Sequence, residues 1–281
     1  MNSSSQMRLV LLGTGTPNAE PDRSGPALAV VVDERAHLVD CGPGVVRQAA
    51  KAHQRGINEL APDKLDRVFI THLHSDHTAG YPDLILAPAV LGRPGALDAY
   101  GPPGLAAMSD HLLAAYADDI RERVAGLESG NPHAYKVNVR EIEPGVIYSD
   151  DSVCVTAFAV QHGTWPHAFG FRFDTPDRVI VISGDTVPSA ELVRHAKGCD
   201  ILVHEVYSAA GFARRPPQWQ RYHASAHTST HQLAQLAAEI RPRLLILTHQ
   251  LLWGASEEDL LAEIREHYDG DVRSGRDLDV Y

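Results

Sequence analysis

Cysteine and positive charge are both scarce in this sequence, and each scarcity argues against a class of protein. The 281 residues contain three cysteines, Cys41, Cys154 and Cys199. An odd number of widely separated cysteines does not build the disulfide framework that holds small secreted proteins together. Lysine and arginine number 25 against 36 aspartate and glutamate residues, so the net charge is −11 at pH 7. This balance argues against a protein built to grip the phosphate backbone of nucleic acid.

Long apolar runs and targeting signals are missing as well. No stretch reaches the roughly 20 apolar residues that span a bilayer, and residues 1–6 contain no basic residue of the kind that opens a signal peptide. The sequence also has no internal repeat, low-complexity tract or long linker. Hydrophobic content of 44% and charged content of 22% are ordinary for a soluble globular protein. We therefore expect a cytoplasmic protein with a single domain over residues 1–281.

The most specific feature that is present is an H-x-H-x-D-H run directly after the apolar strand predicted at residues 67–70. In an extended segment His72 and His74 point to the same side, because side chains alternate with a period of two. A helix predicted to start just after the run turns Asp76 and His77 toward a neighbouring point. Two adjacent sets of imidazole and carboxylate ligands suit two divalent ions, with zinc the first choice. A histidine-rich polar loop is the alternative, but the buried strand before the run favours a metal site.

Further candidate ligands stand where other apolar strands are predicted to end. These residues are Asp40, His162, Asp185 and His249. Open α/β sheets present their sites at the carboxyl ends of strands, so these side chains are candidates for the same site. Two alternatives stay open from the residues alone. Asp40 is equally typical of a helix cap and of a carboxylate that supports a ligand histidine, and a lone His162 would more often be a packed core residue.

A long loop is predicted over residues 208–225, where arginines alternate with Trp219 and Tyr222. One interpretation is a solvated surface segment or a dimer contact. The other is a lid whose arginines and aromatic rings hold an anionic or aromatic substrate. His227 follows this loop and is one of three histidines spaced by four residues at a predicted helix start, so a structural role is the alternative to catalysis for that residue.

Taken in order, these motifs resemble the metallo-β-lactamase superfamily over nearly the whole chain. Within it the chain is most similar to the ribonuclease Z and arylsulfatase-like branch. The supporting motifs are residues 13–16, 40–44 and 183–186, the pair His204 and Glu205, and His227 some 22 residues before His249. The resemblance implies an α/β fold, an αββα sandwich of two mixed sheets flanked by helices, with a site for two zinc ions that Mn²⁺ or Fe²⁺ could replace.

The resemblance also implies a role for each matching residue. His72, His74 and His162 would hold one zinc, Asp76, His77 and His249 the other, and Asp185 would bridge them. Zinc lowers the pKa of bound water to about 7, so a metal-bridging hydroxide would attack the substrate. The catalytic candidates are Asp76, His227 and Glu205, with His227 and Glu205 assisting proton transfer to the leaving group.

Two departures from ribonuclease Z shape the expected substrate. Residues 174–177 form a short predicted turn where that enzyme carries a Gly/Lys-rich arm that binds tRNA, and the N-terminal loop contains Glu20 and Asp22 where that enzyme is basic. We therefore expect a zinc-dependent hydrolase of a small-molecule ester, with a phosphodiester or related phospho- or sulfate ester first, and we do not expect nucleic acid as a partner.

Other functions stay open at this point. One alternative is a lactone or carboxylic ester hydrolase, and another is a ribonuclease Z-like endoribonuclease that processes tRNA 3′ ends. A non-catalytic binding protein would have lost ligands, and none is lost here. A homodimer is expected only because ribonuclease Z relatives often form one.

Overall fold

Residues 7–281 are described by a computed structural model, in which the chain divides into two compact units. Unit 1 comprises residues 17–142 together with 7–13 and 277–281, and unit 2 comprises residues 143–276 together with 14–16. Each unit contains one mixed β-sheet and its own helices. The expected α/β class, with two mixed sheets flanked by helices, is confirmed. The prediction of a single domain stays a prediction.

Unit 1 is built on a mixed sheet. Its strands among the described residues are β1 (Arg8–Gly13), β2 (Ala27–Val32), β3 (Arg35–Val39), β4 (Arg67–Phe69), β5 (Leu97–Gly101) and β6 (Val137–Glu141), hydrogen-bonded in that order. The first three strands pair antiparallel, and the pairs from β3 to β6 are parallel. Its helices are α1 (Val45–Gln54), α2 (Ser75–Thr78), α3 (Tyr81–Val90), α4 (Leu105–Ala115) and α5 (Ala117–Ala125).

The parallel pair β3 and β4 brings the first part of the candidate site together. Both strands are almost entirely buried, and the core that their apolar residues enter fixes their register. They end side by side, and Asp40 N donates to Phe69 O at 2.9 Å just beyond the last strand residues. The residues after β3 and those after β4 therefore lie next to each other.

Residues 277–281 complete unit 1 along the free edge of β1. Leu9 N donates to Tyr281 O at 3.0 Å. The Asp277 carboxylate accepts a hydrogen bond of 2.7 Å from the backbone N–H of Ser24. An edge strand that would otherwise present unpaired backbone groups is thus covered by a segment distant in sequence.

The turn after β3 packs tightly against α2. Cys41 N donates to His77 O at 2.9 Å, and Gly80 N donates to Cys41 O at 2.9 Å. A Cβ atom on Gly42 would lie 2.4 Å from the carbonyl carbon of Gly25 and 2.5 Å from the backbone oxygen of Asp76. Only glycine fits here, because the surrounding atoms are backbone and have no rotamer to change.

Replacing Gly42 with alanine is expected to lower the free energy of unfolding by about 1–3 kcal/mol, because the added methyl group overpacks this turn. Urea denaturation followed by circular dichroism measures the change. Gly95→Ala is the matched control, since no atom lies within 4 Å of a Cβ placed there. A Gly42→Ala protein as stable as the parent would contradict the tight packing.

Unit 2 has a second mixed sheet. Its strands, all within the described residues, are β7 (Gly145–Ser149), β8 (Cys154–Ala159), β9 (Phe169–Asp174), β10 (Val179–Ile182), β11 (Ile201–Tyr207), β12 (Leu244–Leu251) and β13 (Val272–Ser274). Neighbours from β7 to β10 pair antiparallel, and those from β10 to β13 pair parallel. Its helices are α6 (Ala190–Ala196), α7 (Ala209–Ala213), α8 (Pro217–Ala226), α9 (Thr230–Ile240) and α10 (Glu257–Arg265).

Two sequence predictions are decided in unit 2. β9 ends at Asp174 and β10 begins at Val179, so the connection is as short as expected. The long loop predicted over residues 208–225 is wrong, because α7 and α8 occupy most of it. Ser208 caps α7 by accepting from Gly211 N at 2.9 Å, and Pro217 opens α8 at a position where its missing N–H costs nothing.

None of the helices within residues 7–281 is long and apolar enough to cross a membrane.

Candidate active site

The histidine run lies between β4 and α2, as the sequence predicts. His74 is the N-cap residue of α2 with extended backbone angles, and Asp76 and His77 lie inside the helix. His72 Nε2 and His74 Nδ1 are 3.0 Å apart, and the rings of His72 and His77 have centroids 4.2 Å apart. His72, Asp76 and His77 are buried. The change from strand to helix therefore brings the imidazoles of the run together inside unit 1.

Asp40 fixes the orientation of His77. Its Oδ2 lies 2.8 Å from His77 Nδ1, and its Oδ1 accepts a 2.8 Å hydrogen bond from the backbone N–H of Thr71. A proton held on Nδ1 leaves the Nε2 lone pair of His77 available to a metal. The helix-cap alternative for Asp40 is excluded, because the N-cap of α1 is Gly44. Asp40 adopts a left-handed backbone with φ of 59°, a conformation that aspartate tolerates better than most residues.

Thr71 is a supporting residue that the sequence analysis missed. Its hydroxyl donates to Asp40 Oδ2 at 2.9 Å and lies 3.0 Å from His72 Nδ1. A hydroxyl has one proton, so with that proton on Asp40 the oxygen accepts from His72 Nδ1–H. His72 then presents Nε2, as His77 does. Its place directly before the first histidine of the run was the only signal in the sequence.

A second buried group lies in unit 2 and is centred on Asp185. Asp185 Oδ2 is 3.5 Å from His249 Nε2 and 4.0 Å from His162 Nε2. His162 Nδ1 lies 2.7 Å from the carbonyl oxygen of Ala226 and donates to it, so its Nε2 carries the lone pair. Asp185, His162 and His249 are all buried. Asp185 and His162 lie just beyond strand ends, as the sequence predicts, and His249 joins them from within β12.

His249 does not stand at the end of its strand, contrary to the sequence prediction. β12 continues to Leu251, and His249 is an extra residue in the pairing with β11, where Glu205 faces Thr248 and the next residue faces Gln250. The backbone of His249 is left-handed, with φ of 43°. Such a β-bulge bends the strand and re-aims a side chain. The ring of His249 points at Asp185 for this reason.

Glu205 and His227 form a pair beside Asp185. Glu205 Oε2 lies 3.4 Å from His227 Nδ1, and Glu205 Oε1 accepts hydrogen bonds from Thr228 N at 2.9 Å and Thr186 N at 3.3 Å. Burial, followed by the negative charge of Asp185, raises the pKa of Glu205 well above its usual value. Burial therefore favours the neutral form of this carboxyl group.

The ring of His227 is held on several sides. Its Nδ1 is 3.9 Å from Asp185 Oδ2, and the ring stacks on His249 with a centroid distance of 5.7 Å. The side chain of His227 is 6% exposed. His227 is therefore a buried residue between two acidic side chains and a parallel ring, and its catalytic role stays a prediction.

The donor atoms of both units fit a divalent metal. In unit 2, two sets of three donors lie within 4.8 Å of one another: His162, Asp185 and His227 form one set, and Glu205, His227 and His249 the other. In unit 1 the Nε2 atom of His72 and the Nδ1 atom of His74 lie 3.0 Å apart. Buried imidazoles with their second nitrogen already hydrogen-bonded, next to carboxylates, are the ligands that zinc favours. The sequence-based split of ligands between two ions stays a prediction.

The family of the chain is decided by comparison with known proteins. Residues 35–250 match the model of the family described as "Beta-lactamase superfamily domain". The chain belongs to the beta-lactamase superfamily. It is therefore a metallo-hydrolase of this superfamily, and the resemblance inferred from the motifs is confirmed.

Several relatives within the superfamily carry the name Ribonuclease Z. The chain is 32% identical over 280 residues to Ribonuclease Z of Mycobacterium bovis (strain BCG / Pasteur 1173P2), with 97% of this chain and 96% of the relative covered. It is 34% identical over 278 residues to Ribonuclease Z of Mycobacterium avium (strain 104), with 97% and 96% covered.

Solved structures show the same fold. A metallo-beta-lactamase fold protein from Bacillus subtilis aligns with a TM-score of 0.74 and 18% identity, covering 98% of this chain and 99% of the other. The short form of human tRNase Z aligns with a TM-score of 0.72 and 23% identity, covering 98% of each chain.

The expectation that nucleic acid is not a partner is contradicted by these relatives, whose name is that of a ribonuclease. The reasoning failed because net charge averages over the whole surface, whereas a backbone phosphate meets only the charges near it. Residues 208–227 contain three arginines and no aspartate or glutamate, although the whole chain carries −11. The net charge of the chain therefore does not describe this part of unit 2.

Proposed function

We propose that this beta-lactamase superfamily hydrolase is a metal-dependent endoribonuclease of the ribonuclease Z type, which hydrolyses a phosphodiester bond of RNA and processes tRNA 3′ ends. The observation that carries the proposal is the Glu205–His227 pair, 3.4 Å apart and next to Asp185. An alkoxide leaves slowly unless it is protonated. A buried proton donor beside candidate metal ligands can therefore act as the general acid for the leaving group. The relatives named Ribonuclease Z support RNA as the substrate.

We propose seven side chains as the metal ligands, assigned to two zinc ions as in the sequence analysis. They are His72, His74, Asp76, His77, His162, Asp185 and His249. When bound, zinc would supply a Lewis acid and lower the pKa of a coordinated water. Asp40, Thr71 and the backbone at Ala226 keep the Nε2 lone pairs of three of these histidines available.

The remaining chemistry belongs to protein side chains. His227 donates a proton to the departing oxygen, and Glu205, whose Oε2 lies 3.4 Å from His227 Nδ1, orients the imidazole. The backbone N–H groups of Thr186 and Thr228 fix Glu205 in turn. Asp76, which we assign to both the metal and catalysis, accepts the proton of the attacking water.

Cleavage of a 3′-extended tRNA precursor by the zinc-loaded protein tests this function. We expect cleavage near the 3′ end of the tRNA body that EDTA abolishes and added Zn²⁺ restores. Hydrolysis of bis(p-nitrophenyl) phosphate is measured in parallel, because it reports small-ester chemistry without an RNA. A zinc-bound protein that hydrolyses this ester but leaves the precursor intact would contradict the proposal and support the small-molecule function.

Replacing Asp40 with asparagine is expected to weaken zinc affinity by roughly 10–100-fold. Asparagine tolerates the left-handed backbone at this position, so the turn should survive. Its neutral amide no longer attracts the Nδ1 proton of His77, and the ring loses the interaction that directs Nε2 to a metal. Competition with a chromogenic chelator measures the affinity.

Asp118→Asn is the control for Asp40→Asn, because Asp118 lies exposed on α5 in the same unit, where its side chain pairs with Arg121. Zinc affinity equal to that of the parent in Asp40→Asn would show that Asp40 does not orient a ligand.

A further inference from the structure

A row of aromatic rings on α8 leads from the surface to the proposed proton donor. We call this row the aromatic strip, and it consists of Trp219, Tyr222, His223 and His227. Neighbouring ring centroids are 6.1 Å apart from Trp219 to Tyr222, 5.0 Å from Tyr222 to His223, and 5.5 Å from His223 to His227. A spacing of three and four residues from Trp219 places Tyr222 and His223 on its side of α8, and His227 is the residue directly after the helix.

The strip is exposed at one end and buried at the other. Trp219 is 45% exposed and Tyr222 42% exposed, whereas His223 and His227 are buried. Large exposed aromatic rings are costly to leave in water, and Tyr and Trp are enriched where a surface binds another molecule. The exposed end is therefore the part of the strip that a ligand can reach.

Arg215 and Trp253 hold the strip in place. The guanidinium carbon of Arg215 lies 5.6 Å from the ring centroid of Trp219 and 5.4 Å from that of Trp253. His223 packs on Trp253 with a centroid distance of 4.4 Å. Rings that are already ordered lose little conformational entropy when a ligand stacks on them.

The segment that carries the strip is positively charged, which suits a polyanion. Arg214, Arg215 and Arg221 are the charged residues of segment 208–227, which contains no carboxylate side chain. Arg214 and Arg221 are exposed. Aromatic rings interleaved with arginines are the combination with which proteins bind single-stranded nucleic acid, because the rings stack on bases while the arginines attract phosphates.

We propose that the aromatic strip is a binding site for unpaired nucleobases, in which a base of the single-stranded RNA next to the cleaved bond stacks on Trp219 and Tyr222. The inference rests on the proposed function, in which His227 protonates the leaving oxygen. Because His227 is at the buried end of the strip, the RNA strand bound there is the strand that is cleaved. Recognition is by stacking and charge, so it tolerates all four bases. It gives the chain a contact with RNA that involves no inserted arm between β9 and β10.

Binding of a fluorescein-labelled, unpaired oligoribonucleotide with non-hydrolysable phosphorothioate linkages tests the inference by anisotropy. The full-length protein is compared with Trp219→Leu and Tyr222→Leu, and each is titrated with the same oligonucleotide and with one of equal length that lacks bases. We expect each substitution to weaken binding of the base-containing strand roughly tenfold and to leave binding of the abasic strand unchanged. Trp219→Phe keeps an aromatic face and should recover most of the affinity.

Tyr116→Leu is the matched control, because Tyr116 is 41% exposed but lies in unit 1 rather than on α8. It should change neither affinity. Equal losses with both strands, no loss with either strand, or no measurable binding of RNA by the parent protein would each overturn the inference. Binding of an aromatic peptide, instead of the oligoribonucleotide, by the parent protein would also overturn the inference.

The outcome is separable from that of the proposed function. Base-dependent binding without cleavage of the tRNA precursor would contradict the proposed endoribonuclease function but support the aromatic strip as a nucleic-acid binding site. If Trp219→Leu and Tyr222→Leu change neither cleavage nor binding, the proposed endoribonuclease function stands and the proposed role of the aromatic strip is contradicted.

Discussion

Replacing His227 with alanine is expected to lower kcat for cleavage of the tRNA precursor by roughly 10²–10⁴-fold, the usual contribution of a positioned general acid. The Nδ1 atom of the imidazole lies 3.4 Å from Glu205 Oε2, and the ring stacks on His249. Its loss removes the only proton donor that we assign to the leaving oxygen. Single-turnover kinetics with saturating enzyme measures the chemical step.

His231→Ala is the matched control for His227→Ala. His231 lies one helical turn further along the chain, and its side chain is 45% exposed and 3.7 Å from Glu266. Its removal should leave kcat unchanged. Zinc content measured on the His227→Ala protein decides between two roles, since a proton donor can be lost without loss of metal. A variant with depleted zinc would instead make His227 a ligand.

The other large effect is expected for Asp185→Asn, which should reduce cleavage on the order of 10³-fold or more, because several kcal/mol of transition-state stabilisation depend on the metal. The amide preserves the size of the side chain but removes the negative charge that faces His249 and His162. Zinc content by atomic absorption and the rate of precursor cleavage should fall together.

Asp174→Asn serves as the comparison for Asp185→Asn. Asp174 closes β9 in the same unit and pairs with Arg172 in a partly exposed ion pair, so its neutralisation should cost little. Full activity and full zinc content in Asp185→Asn would contradict the assignment of Asp185 as a ligand.

Much of the candidate site was predictable because its signals are local. The run from His72 to His77 follows a buried strand, and the change from period two to a helix is visible in the same few residues. Asp185 and His162 likewise follow apolar strands that end in turn residues. A strand of this kind has one favourable register, so a polar residue just beyond it has a predictable place.

The bulge at His249 was not predictable from β12 alone. The sequence from Leu244 to Thr248 is uniformly apolar up to its last residue, and nothing within it marks where the pairing slips. The slip is a property of two strands, because Glu205 and Thr248 stay paired while the following residues move out of step. Reading one strand at a time cannot detect such a feature.

The segment before His227 was misread for a different reason. Gly211 and the Pro216–Pro217 pair are turn signals in isolation, and they dominate a window that contains few apolar residues. In the folded chain Gly211 lies inside α7, which Ser208 caps, and Pro216 and Pro217 begin α8. The positions of Trp219 and Tyr222 then follow a helical period instead of being irregular, which changes what the segment can bind.

The pairing of residues 277–281 with β1 has a consequence for how the protein is made. During translation β1 emerges early, yet the segment that covers its edge appears only after all of unit 2 has been synthesised. The entropy cost of closing so long a loop grows slowly with length, so the final stability suffers little. The folding rate is lowered instead, because contacts between residues distant in sequence form slowly. Until that segment arrives, the nascent chain presents an apolar strand with an open edge, a template for aggregation that chaperones would have to cover.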